Sequence, residues 1–299
     1  MEIDLGLLHQ FEVQFSVARR RDHAMTVADV PEDGELQIGS IRLPAGRKIR
    51  SNNGQGEPVA WATTGTMPDA GRVWAALSEA HAQSGLVPLL LSGIGGDPGR
   101  PWDTQEFRDP DDLTELDHLD AAELLREDWR QQTTEYDDYD EEDDGYDDEY
   151  FVKSIAEDVV PFSRRQFPGL AQAEEHQFDA GQFDRVLGGL GPARIGLVPA
   201  GRPADALPAL GWNQAFVTAV PYAAVLRSWE DRFGARLLRV GFGEISVLAQ
   251  RPPRTLESAQ HLAAEQWAFC KEFGGNGLHN VRGIAESLMS SPIWTFWWD

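Results

Sequence analysis

The chain has a single cysteine among 299 residues, so no internal disulfide can form. A lone thiol fits a reducing compartment. No apolar run reaches the ~20 residues that a helix needs to cross a bilayer. The first residues, MEIDLGLLHQFEVQF, are acidic and alternating, not basic and then continuously apolar as a secretory leader is. The expectation is a cytoplasmic protein with no membrane partner. Basic residues are scarce: 26 Lys and Arg face 49 Asp and Glu, for a net charge of −23. A field of that sign repels phosphates and anionic lipids, which argues against nucleic acid as a partner and favours a basic protein. The seven histidines are scattered without zinc spacing. No glycine-flanked nucleophilic serine occurs.

What is present is enough hydrophobic sequence, 41%, for one or two packed cores. Residues 135–150 hold eleven acidic side chains and no basic one. Mutual repulsion opposes compaction there, so the run reads as a solvated, disordered linker. Aligning Gly145 with the turn glycine of a calcium loop puts Asp140, Glu142 and Asp144 at ligand positions. The bidentate glutamate position then falls on Phe151, so no dedicated calcium site is expected.

Before the run the pattern is α/β. Phe11, Val13, Phe15 and Val17 alternate with polar residues as a half-buried strand does. Short strands follow over 36–38, 41–43 and 59–63. Asp69 is placed to cap a helix with Val73, Trp74, Leu77 and His81 on one face, ended by Gly85. Residues 86–91 suit a strand buried on both faces, and strand, helix and strand in that order suggest a parallel crossover. Asp120 with Glu123 resembles a capping box for a helix through Trp129. Residues 151–162 and 177–190 show weaker helical patterns.

After residue 193 the pattern sharpens. Residues 195–198 read as a strand, 203–210 as a short helix, and Phe216 with Val217 as strand. Tyr222, Val225, Leu226, Trp229 and Phe233 form an apolar helical stripe closed by Gly234. Residues 237–240 and 245–248 suggest a hairpin, Thr255 a cap for a helix to Cys270, then a helix over 284–289 and a strand over 293–298. Alternation puts Trp294, Phe296 and Trp298 on one face of that last strand, which is expected to be central in its sheet. Cys270 shares a helical face with Trp267 and Ala263 and reads as a core thiol; His81 reads as a hydrogen-bonded histidine at the core edge.

The segments GRPADAL, LRSWEDRFGA and PIWTFWWD, in that order, closely resemble the C-terminal module of the bacterial domain-of-unknown-function 4253 family, over about residues 190–299. PDAGRVWAAL and GLVPLLL resemble regions that accompany the module in longer members. AFCKEFGGNGLHN departs from the pattern locally. The resemblance implies an α+β domain in bacteria and carries over no catalytic residue.

The expected organisation is α+β, with mixed sheets and flanking helices in two halves. An N-terminal α/β domain covers 1–132, the acidic linker 133–150, a connecting segment 151–193 and the terminal α+β module 194–299. No phosphate loop survives inspection. Residues 92–99 are rich in glycine, but Pro98 occupies the third glycine's place and no helix follows. No cofactor, metal or catalytic set is expected. Two functions remain open. One is a non-enzymatic interaction protein that engages a basic protein partner, a toxin-neutralising immunity protein being one instance. The other is an enzyme or small-molecule sensor with an anion-binding cleft between the halves, for which Arg202, Arg227 and Arg232 are candidates. Arg227 has the spacing to pair with Glu230 or Asp231. Glu230 and Asp231 diverge by ~100° around the helix and cannot face each other as acid and base. Trp298 is the remaining candidate contact, and oligomeric state is left open.

Overall fold

The structure is a computed structural model that describes residues 27–95, 97–134, 148–174, 179–212, 218–270 and 280–298. The strands expected at Phe11–Val17 and at Phe216 and Val217, and the acidic residues 135–147, lie outside the described residues.

Strands β1 (Gly34–Ile38) and β2 (Ile41–Arg50) form a hairpin, longer than the apolar pieces that announced it. A short turn, α1 (Ser51–Gly54), leads to β3 (Pro58–Thr63). Helix α2 (Ala70–Ser84) follows and ends on Gly85 at φ +66°, a left-handed position that glycine adopts without strain. Asp69 holds the N-cap position but makes no side-chain cap bond. Strand β4 (Leu86–Leu91) has five of its six residues buried. Helix α3 (Ala121–Thr134) starts on Asp120, whose carboxylate accepts from the backbone N–H of Ala122 and Glu123 at 2.7 and 3.1 Å. Helices α4 (Asp148–Asp158) and α5 (Ala180–Gly188) come next, so the range assigned to the linker is helical at both of its ends.

The terminal segment contributes β5 (Arg194–Pro199), α6 (Ala206–Leu210) after a 3-10 turn at Pro203–Asp205, and α7 (Val220–Phe233). The β6 (Arg236–Val240) and β7 (Glu244–Leu248) hairpin, α8 (Leu256–Phe269), α9 (Val281–Ser290) and β8 (Ile293–Trp297) complete it. Thr255 caps α8 by accepting from Ser258 N–H, as its place after two prolines suggested.

The eight strands of the described residues form one mixed sheet in the order β1-β2-β3-β5-β4-β6-β7-β8. The α+β class holds, and the segments before and after residue 150 share that sheet. β5 is antiparallel to both β3 and β4, so those two run parallel to each other with β5 between them. The crossover expected from strand, helix and strand is therefore present, with a strand from the far end of the chain inserted into it. Only long-range pairing could reveal that insertion.

Alternation along the strands gives the sheet two cores. Ala60, Ala62, Leu89 and Val198 belong to one cluster, and their neighbours Trp61, Leu90 and Leu197 to the other. α3, α6, α7, α8 and α9 supply Trp129, Leu207, Trp229, Trp267 and Ile284 to the first face. α2 and α5 supply Trp74 and Leu187 to the second. Gly71 lets α2 and α5 touch: a Cβ there would lie 2.2 Å from the Leu187 carbonyl oxygen.

The last strand corrects an expectation. Among the described residues β8 pairs only with β7 and lies at the sheet edge, not in its centre. Trp294 and Phe296 are nevertheless buried, because helices cover that face, while Thr295 on the other face is exposed. Indoles on both faces announced a covered strand; covering on one face by α7 and α8 is enough.

Candidate functional site

Helix α7 organises the charged residues singled out above. Its apolar stripe fixes its rotation: Val225, Leu226, Trp229 and Phe233 are buried. Arg227, Glu230 and Asp231 are thereby turned towards residues 202–205 and a 3-10 turn at Leu113–His118. Arg227 does not pair along its own helix, as spacing suggested. Its Nε and Nη2 bind both oxygens of Asp205 at 2.6 and 2.8 Å, and its Nη1 binds Asp117 Oδ1 at 2.6 Å. The pairing crosses elements because Asp205 is buried and offers a fixed bidentate partner, which no neighbour on one helix does. Burial works against the Arg227 charge, but the hydrogen bonds to Asp205 and Asp117 outweigh it and leave its pKa raised.

Arg202 spans the two divergent carboxylates. Its Nη2 lies 2.8 Å from Asp231 Oδ1 and its Nε 3.4 Å from Glu230 Oε1. Burial pushes the Glu230 carboxyl up, and Arg202 only partly opposes it. The seam thus sets Arg202 and Arg227 against Asp117, Asp205, Glu230 and Asp231, so the guanidiniums are compensated from inside the protein.

Arg232 is placed apart from them. Its guanidinium binds Glu265 of α8 at 2.8 and 2.5 Å and donates to the Ala171 carbonyl at 2.9 Å. Glu265 has no exposed surface and also accepts from Trp229 Nε1 at 2.8 Å and Ala171 N–H at 2.6 Å. Four donors on one buried carboxylate make it the hub that ties α7, α8 and the chain at Ala171 together. Sequence reasoning missed Glu265, Asp205 and Asp117. A signal for Glu265 existed: it sits between Ala264 and Trp267 on the apolar side of its helix, where an acid is rare unless paired.

Trp298 closes an aromatic cluster at the end of the sheet. It meets Trp212, Tyr222 and Phe269 edge-on, with centroids 5.3–5.7 Å away. Cys270, buried next to this cluster, donates its S–H to the Trp297 carbonyl at 3.1 Å. His81 is buried and lies 2.9 Å from the Ala200 carbonyl through Nε2. Burial holds its pKa below 6.5, so it is neutral near pH 7 and Nε2–H donates.

Open parallel sheets offer ligand crevices at the carboxyl ends of their strands. At the parallel β4–β6 pair that position is filled by two indoles: Trp102 donates to the Val240 carbonyl at 3.1 Å and Trp212 to the Gly241 carbonyl at 3.0 Å. The glycine-rich loop after β4 closes on itself, with Ile94 and Asp97 exchanging backbone bonds. Arg100 beyond it binds Glu106 through two nitrogens and lies 4.2 Å over the Phe242 ring. An open groove of about 240 Å³ lies elsewhere, between the start of α5, the Pro252-Pro253 turn and Met289, and none of the candidate arginines lines it. Among the described residues no three His, Cys, Asp or Glu side chains are placed to hold a metal, and no helix is long and apolar enough to cross a membrane.

One carboxyl outside the seam is perturbed enough to test. Burial, reinforced by the neighbouring Glu127 charge, pushes Asp128 of α3 from 3.8 to about 6. The folded state then takes up this proton before the unfolded chain does. The resulting stability is complete below 3.8 and is lost as pH rises through about 6. Asp128→Asn is expected to raise the melting temperature near pH ~7.5 and to flatten its change between about pH 4 and 7. Thermal denaturation of both proteins across that range checks this; parallel curves would refute it.

The fold and this geometry define an α+β protein built on one mixed sheet, with its candidate charges held in internal ion pairs. Residues 194–299 match the family described as "Domain of unknown function (DUF4253)", the segment that begins at β5 and ends with the aromatic strand. No curated protein and no solved structure matches the chain.

Proposed function

We propose that the protein is a non-enzymatic interaction protein that engages a basic protein partner, a toxin-neutralising immunity protein being one form of this. The carrying observation is the charge inventory. The chain holds 49 acidic against 26 basic residues, and the half-buried arginines Arg202, Arg227 and Arg232 are each committed to internal carboxylates. Exposed side chains such as Asp112, Glu115, Asp120 and Glu123 carry part of the acidic excess. A surface of that sign accelerates encounter with a basic partner and disfavours polyanions. The alternative, an anion-binding cleft, draws little support from the geometry. Arg202 and Arg227 do converge, but on an excess of carboxylates and away from the groove.

The test is affinity capture from the native host, with the full chain and with residues 135–147 deleted, at low and high salt. A captured protein rich in Lys and Arg is expected, and its binding to the purified chain should weaken steeply as salt rises. Binding that is indifferent to salt, or no basic partner at either salt, would refute the reading.

A further inference from the structure

We propose that residues 112–119 form an electrostatically latched strap over α7 that opens independently of the sheet, with the Asp117–Arg227 pair as its latch. The strap is anchored at both ends. Before it, Asp111 donates its N–H to the Pro208 carbonyl at 3.0 Å and its carboxylate accepts from Ala219 N–H at 2.9 Å. After it, Asp120 caps α3. Between the anchors the chain joins no strand. Its hold on α7 is made by side chains: Leu116, 2% exposed, against Val220, Ala223 and Ala224, and Asp117 on Arg227. These apolar residues form a small cluster separate from both cores of the sheet. A unit with little buried apolar area and no ladder bonds opens at a lower free energy than the strands do.

The latch is built to release cheaply. Arg227 keeps both oxygens of Asp205 when Asp117 leaves, so no buried charge is orphaned. Asp117 is 79% exposed and returns to water. Its carboxyl is held below the ordinary range, first by the hydrogen bond from Arg227, with the Arg227 charge adding to it. Acid therefore reaches the latch only below the ordinary carboxylate range, and near neutrality salt is the effective control. The other groups facing the pair are Asp205 and Arg202, which lie outside the strap, and His118, which the strap itself carries.

Amide hydrogen exchange on the full chain tests this. Amides at 113–119 are expected to exchange through a lower-energy opening than those of β5, which lies inside the sheet. Asp117→Asn, an exposed substitution compatible with folding, is expected to speed the strap about two- to fivefold and to leave β5 unchanged. Added salt should reproduce that effect in the parent protein and not in the variant. Equal protection of strap and β5, an unaltered strap in Asp117→Asn, or equal acceleration of both would each overturn the proposal.

Discussion

Glu265→Ala is expected to destabilise the protein by about 3–5 kcal/mol, a fall in melting temperature of about 10 °C for a chain of this size. The substitution removes the acceptor from four donors at once: two Arg232 nitrogens, Trp229 Nε1 and Ala171 N–H. Arg232, with only 17% of its side chain exposed, keeps its charge and loses its counter-ion. The dominant cost is that unpaired charge, not the lost methylenes of glutamate. A variant that also changes Arg232 to Met is therefore expected to recover part of the loss. Recovery stays partial, because the indole and the Ala171 amide still lack an acceptor. Denaturation of the parent, both single variants and the double variant closes the cycle. A coupling of at least ~1 kcal/mol is expected, and additive single effects would show that the hub does not act as a unit.

Trp229→Ala is expected to cost about as much, ~3–5 kcal/mol, by a different route. The indole is fully buried, stacked on Phe296 at 5.4 Å and edge-on to Trp294 at 5.8 Å, with Phe269 at 4.9 Å. Removing it leaves a cavity walled by rings from α8 and β8 that cannot collapse into the space. It also removes one donor from Glu265. Trp229→Phe keeps a six-membered ring in place and loses the N–H with the five-membered part of the indole, so a smaller loss of about 1–3 kcal/mol is expected. Equal losses for Ala and Phe would mean that packing of the six-membered ring contributes little, against this expectation. Near-UV circular dichroism should lose intensity in both, since the ring cluster is the main fixed chromophore at that end of the sheet.

Much of the fold was legible because it is written in local pattern. The stripe of α7, the glycines after α2 and α7, the Thr255 and Asp120 caps and the continuous apolar run of β4 each depend on residues a few positions apart. The burial of Cys270 and the hydrogen-bonded state of His81 followed from the same helical spacing. The β8 position was misread for a related reason. Alternation reports which residues share a face, but not how many strands lie beyond the edge.

The candidate site was legible only in its parts. Arg202, Arg227, Glu230 and Arg232 were found as residues, and three of them do share one seam. Their partners were not found, since Asp117 lies 110 positions from Arg227 and Glu265 lies 33 from Arg232. Helical spacing proposed Glu230 or Asp231 for Arg227 because those are the carboxylates that sequence can see. Burial of Asp205 decided otherwise.

Composition and periodicity alone determined the sign of the surface, the alternation of helices and strands and the apolar face of each element, because charge and side-chain direction are properties of the local chain. Tertiary structure alone decided that β5 enters the sheet between β3 and β4, that Glu265 collects four donors and that Arg227 bridges a buried and an exposed aspartate. Those outcomes rest on which distant groups are desolvated together, and a carboxylate's choice of partner is governed by the water it loses more than by its neighbours in sequence.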